Sequence, residues 1–158
     1  MKKTILLFVI GIFAFAISLT SCKKDKVTFT QADWIGTYYG SHNLSAGVTL
    51  PALPDTIVVT ANGTDKINIQ SRKLGVAALV GTLSSDFSTG TISYGPTSLT
   101  VSGVEVTNAA ASLQGKLSDD KKTITLNSTT LTGTTTLLGN TVNLATVGAK
   151  INSTFTKQ

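Results

Sequence analysis

A chain of 158 residues with one cysteine, one histidine, one tryptophan and three prolines leaves several chemistries out of reach. A single thiol permits no disulfide framework within the chain and no Cys-based zinc or iron–sulfur site. A single imidazole excludes a multi-histidine metal centre and leaves His42 as the one candidate base. Charged residues make up 13% and aromatics 6%, while the apolar share of 41% argues against intrinsic disorder. In their place stand 27 threonines, 15 serines and 14 glycines. The length suits one domain, since soluble domains cluster near ~100–150 residues.

The first segment has the grammar of an export signal. Lys2 and Lys3 form a positive start, and Ile5 to Ile17 is an apolar run broken only by Gly11 and alanines. Its length fits the ~7–15 residues of a secretory h-region and falls short of the ~20 that span a bilayer. Leu19-Thr20-Ser21-Cys22 follows, and it resembles the lipobox of bacterial lipoproteins. Small residues there fit the peptidase site, and only a thiol accepts the diacylglycerol thioether. The resemblance implies a signal peptide over residues 1–21, lipidation (palmitate among the acyl chains) at Cys22, and a tether over residues 22–29. The membrane is then a partner through those chains, and the expected location is the cell envelope, at the outer membrane.

Cleavage before Cys22 leaves 11 basic against 8 acidic residues, and beyond the lysines of the tether residues 27–158 carry a net charge of only +1. The domain therefore lacks the basic stripe of a nucleic-acid binder, and no nucleic acid is expected as a partner. Lys23, Lys24 and Lys26 read as a solvated linker, with headgroup contact worth ~1 kcal/mol per lysine as the alternative.

From Val27 onward no helical stripe exceeds a turn, and period-two alternation recurs. Ile67 and Ile69 oppose Lys66, Asn68 and Gln70; Leu113, Gly115 and Leu117 oppose Gln114 and Lys116; Ile124 and Leu126 oppose Thr123 and Thr125. Near the end, Val147, Ala149, Ile151 and Phe155 oppose Lys150, Asn152 and Thr154. One apolar and one wet face mark antiparallel sheet. Asn62-Gly63 signals a hairpin, Ser118 to Lys122 a polar loop, and Leu138 to Thr141 a turn into the last strands. Gly103 breaks the parity between Leu99/Val101 and Val104/Val106, which suggests a bulge. About eight strands at this spacing predict an all-β domain over residues 30–158, a single antiparallel barrel with a sandwich as the alternative.

Thr30 to Asp33 reads as a capped helical turn, followed by Trp34-Ile35-Gly36-Thr37-Tyr38. A short turn leading into apolar-x-Gly-x-aromatic resembles the first strand of the calycins, the lipocalins and fatty-acid-binding proteins. There a Gly-x-Trp aromatic plugs the barrel end under a basic residue of the last strand. By that resemblance Trp34, Gly36 and Tyr38 form the plug, with Tyr38 where tryptophan is usual, and Lys150 or Lys157 is the basic residue. Trp34 as a simple core aromatic is the other reading. The chain as a whole is similar to Gram-negative lipoproteins that carry a small calycin-like barrel.

An eight-stranded barrel has room for packed side chains or one small ligand. The inward candidates from the first strands are Ile57, Val59, Ile67, Ile69 and Ile92. Later strands add Leu99, Val101, Leu113, Leu126, Leu144 and Ile151. No inward Lys or Arg pair offers itself to a carboxylate. A serine hydrolase needs a base within hydrogen-bond reach and a group to orient it. No Gly-x-Ser-x-Gly elbow exists, and His42, at the end of the first strand, reads as an exposed loop residue. Glu105 alternates outward, and Asp119-Asp120 reads as a turn, not a calcium loop. No cofactor or metal is expected. Asp55-Thr56-Ile57 resembles the Asp-Ser/Thr-apolar acceptor for O-glycosylation in one group of Gram-negative bacteria, which marks Thr56, although Thr56 also serves simply to start a strand after Pro54. The expectation is a non-enzymatic barrel, binding a small apolar ligand or serving as an interaction module. A sandwich-type adhesin and a hydrolase are the alternatives.

Overall fold

Runs rich in Thr, Val and Ile, punctuated by Gly, Asn and Asp, become nine strands after one helical turn. The structure, a computed structural model, describes residues 26–46, 51–101, 104–137 and 139–158. The export signal, Cys22 and the Gly103 bulge lie outside the described residues. The turn α1 (Gln31–Trp34) begins at Thr30, whose backbone N–H and hydroxyl donate to Asp33 Oδ2 at 2.8 and 3.0 Å. The strands are β1 (Gly36–Ser45), β2 (Leu53–Ala61), β3 (Lys66–Ser71), β4 (Leu79–Leu83), β5 (Thr89–Val101), β6 (Val104–Leu117), β7 (Thr123–Leu137), β8 (Asn140–Asn143) and β9 (Lys150–Lys157).

The turns form where the side chains demand them. Asn62 N–H donates to Lys66 O at 2.8 Å as the chain reverses through Gly63 at φ +87°. Between β6 and β7, Ser118 Oγ accepts the Thr123 N–H at 2.8 Å. Consecutive strands from β1 to β7 pair antiparallel, and β9 pairs with both β7 and β1. Eight strands thus close into a barrel, with β8 as an extra strand. β8 pairs with residues 134–137 of β7 and β9 with residues 123–127, both antiparallel. They therefore run in one direction, as two pieces of a single barrel position interrupted by a turn. Closure overturns the sandwich alternative, because one hydrogen-bonded sheet surrounds the core and no second sheet faces it.

Alternation carries through to burial. Ile57, Val59, Ile67, Ile69, Ile92, Leu113, Leu126 and Leu144 are buried, and Ile151 is half-buried. The side chains of Leu99 and Val101 lie outside the described residues. Val147 is a correction: it is 37% exposed, in the turn before β9, and the parity of that strand starts only at Ala149. Phe29, assigned to the tether, packs against the core, with Lys121 Nζ 6.0 Å from its ring centre. The barrel unit thus begins before Thr30.

One glycine is dictated by a close approach. A Cβ on Gly40 would stand 1.9 Å from the carbonyl oxygen of Thr154 and 2.8 Å from Phe155 Cδ1. Only a bare backbone lets β1 pass under the Phe155 ring.

Candidate functional site

The barrel has two unlike ends. At the start of β1, Trp34 and Tyr38 are fully buried and Phe155 joins them from β9. Trp34 Nε1 donates to Phe87 O at 2.6 Å, and the Tyr38 hydroxyl donates to Trp34 O at 2.9 Å. Burial, aided by the Asp33 charge, pushes the Tyr38 phenol up to about 12, so it acts as a neutral donor at any ordinary pH. Lys157 Nζ stands 5.7 Å from the centre of the Tyr38 ring and donates to Asp33 O at 3.2 Å. Of the two lysines named for this role, Lys157 is over the aromatic and Lys150 is exposed at the far end of β9. Gly36 makes room: a Cβ there would lie 2.6 Å from Lys157 Cε. Trp34 is fully buried in the core at this end.

Midway along the barrel, four polar side chains turn inward. His42 is 9% exposed, Asp55 6%, Ser71 5% and Ser153 2%. His42 is therefore no loop residue, which corrects the expectation; it lies within β1 on the same parity as Tyr38 and Gly40. Its Nε2 is 2.9 Å from Asp55 Oδ2 and its Nδ1 is 2.9 Å from Ser153 Oγ. Since a carboxylate only accepts, Nε2 carries a proton. The ring meets Phe155 edge-on, with centroids 5.1 Å apart at 70°. Asp55 also accepts from the Ser71 hydroxyl, from Thr56 N–H at 2.6 Å and from Lys73 N–H at 3.0 Å. Burial alone would push the Asp55 carboxyl up. The bonds from Ser71, His42 and Thr56 outweigh it and hold the pKa below the ordinary 3.8.

Ser153, His42 and Asp55 are the residue types of a hydrolytic triad, and the sequence reading did not bring them together. The surroundings differ from a hydrolase site in one physical respect. β9 pairs with β1 on one side and β7 on the other, so amides flanking Ser153 lie in the plane of the sheet. None points into the barrel, where an oxyanion would need donors.

The barrel holds a cavity of about 60 Å³, bordered by His42, Ser71 and Ser153 of this cluster and extending towards the end away from Trp34. Ile57, Ile69, Leu113, Leu126, Leu144 and Ile151 come from the predicted interior, and the unpredicted Leu44, Leu131 and Ala109 join them. Ile67 and Ile92 instead pack in the filled half. Among the described residues, no lysine, arginine or carboxylate lines the cavity. That volume exceeds the ~10–15 Å³ that admits one water, and the polar side chains that border it, His42, Ser71 and Ser153, are bonded within the cluster.

Of the other residues named from the sequence, Thr56 is half-buried within β2 and Glu105 is exposed. The aspartate of the glycosylation motif is taken up by the inward cluster. Among the described residues, no three His, Cys, Asp or Glu side chains come together as metal ligands. The cluster had a sequence signal in strand parity: Asp55 shares the inward phase of Ile57, Ser71 that of Ile69, and Ser153 that of Ile151 and Phe155. No known protein family, curated protein or solved structure matches the chain.

Proposed function

We propose that this is an exported, lipid-anchored protein of the cell envelope whose barrel holds a small apolar molecule and performs no chemistry on it. The observation that carries the reading is the cavity of about 60 Å³, walled mostly by aliphatic side chains and bordered by His42, Ser71 and Ser153, with no lysine, arginine or carboxylate among the described residues that line it. An engineered apolar cavity of about 150 Å³ stays dry and takes up benzene or xenon, and a cavity of less than half that volume suits a guest of xenon's size. The polar cluster beside it is spent on internal bonds, and its serine lacks oxyanion donors, so it serves structure. The signal, the lipobox at Cys22 and the stack of Lys157 on Tyr38 support the likeness to calycin-type lipoproteins, and acylation of Cys22 would hold the barrel at the membrane. Native mass spectrometry of the protein isolated gently from its host, repeated after denaturation, tests the reading. A mass excess that disappears on denaturation is expected. Equal masses, together with no uptake of added xenon, would refute it.

A further inference from the structure

Between β3 and β4 the chain leaves the sheet, and residues 73–78 have no regular structure. Leu74 and Val76 of this segment are half-buried, pack against the core and line the cavity. Since β3 runs from the Trp34 end, with α1 against β2 and β3, this segment lies at the opposite end. Arg72, Lys73, Gly75, Ala77 and Ala78 are exposed, so little apolar burial holds the segment down. Segments with few buried contacts open at a small fraction of the global unfolding free energy.

What holds it is the inward polar cluster. Lys73 N–H donates to Asp55 Oδ1 at 3.0 Å and to Ser71 Oγ at 3.2 Å, and Leu74 N–H donates to Ser71 Oγ at 2.9 Å. Gln70 Nε2 donates to Val76 O at 2.9 Å from the outside. Asp55 is fixed in turn by His42, and His42 by Ser153. The cluster therefore reaches from β9 through β1, β2 and β3 to the first two amides of the segment.

We propose that residues 73–78 are a lid over the cavity, with Ser71 and Asp55 as its latch, and that opening of this lid sets the rate at which the apolar ligand exchanges. The proposal rests on the ligand-binding reading above and adds its control. On this proposal the bonds that hold the lid are made in the filled and the empty barrel alike, so weakening one made by a residue that does not border the cavity, such as Gln70, leaves affinity alone. It raises the open fraction, and with it the association and dissociation rates by one common factor.

Xenon is the probe, added to the full chain, with exchange followed on the methyl signals of Ile57, Ile69 and Leu126. Ser71→Ala removes the acceptor for two lid amides and is expected to speed association and dissociation by roughly tenfold; because Ser71 also borders the cavity, the constancy of Kd is read on Gln70→Ala. Gln70→Ala, which does not border the cavity, loses the one side-chain bond from Gln70 to the lid and should speed both rates by roughly threefold with Kd unchanged within about twofold. It keeps the test open should Ser71→Ala disturb the barrel. Rates unchanged in both variants would overturn the lid while xenon binding itself still stands. Faster dissociation alone in Gln70→Ala, with Kd weakened in step, would equally overturn it. Failure of the wild-type chain to bind xenon would remove the binding reading itself, and the lid with it.

Discussion

Asp55→Ala is the sharpest probe of the buried cluster. The substitution takes the acceptor from four donors at once: the His42 ring, the Ser71 hydroxyl, and the Thr56 and Lys73 amides. The two amides are only part-buried and can turn to water, whereas His42 and Ser71 are inside the barrel. Each buried donor left without a partner costs ~1–3 kcal/mol. With the small void added, the total comes to about 3–5 kcal/mol. At roughly 4 °C per kcal/mol for a domain of this size, the melting temperature should fall by about 12–20 °C. Asp55→Asn keeps the shape and one acceptor oxygen, so about half of that loss is expected. Urea unfolding reads both variants through the fluorescence of Trp34, the only tryptophan and a fully buried one. A loss below about 1 kcal/mol for Asp55→Ala would be the behaviour of a surface residue, and would refute the account of the cluster.

Three further outcomes follow from the same geometry. The Asp55 carboxyl has a folded pKa below the ordinary 3.8, so its contribution is full above that value and is lost as pH falls through the lower one. Wild type should therefore lose stability more steeply than Asp55→Asn below about pH 4, as acid titrations of urea midpoints would show. Gly40→Ala sets a methyl 1.9 Å from a backbone oxygen of β9, and at ~3 kcal/mol or more it should lower the melting temperature by about 10 °C. Cys22→Ser should move the protein from the membrane to the soluble envelope fraction on cell fractionation, and retention at the membrane would count against the lipid anchor.

The barrel was legible because its evidence is local. Period two in β3, β6 and β7, the Asn62-Gly63 turn and the Ser118 to Lys122 loop each depend on neighbours in the chain. So does the helical turn at Thr30 and Asp33. Closure follows from strand number, yet the division of one position between β8 and β9 did not, since it depends on how β7 shares its edge. The polar cluster was the main loss. His42 meets Asp55 across 13 residues and Ser153 across 111, and nothing local tells a buried histidine with partners from an exposed one without. Parity was present at all four positions, but a lone polar residue in an apolar phase reads as a defect or a loop until its partners are known. Lys157 shows the same limit from the other side. The resemblance supplied the role, and only the register of β9 against β1 separates Lys157 from Lys150.

The measurement that bears most directly on the barrel as a carrier is native mass spectrometry of the host-derived protein beside an Ala111→Leu variant. Ala111 lines the cavity, and the larger side chain would fill the space a ligand needs. Wild type should carry a non-covalent mass that denaturation removes, and Ala111→Leu should fold without it. The same mass on both proteins would contradict a ligand held in this cavity.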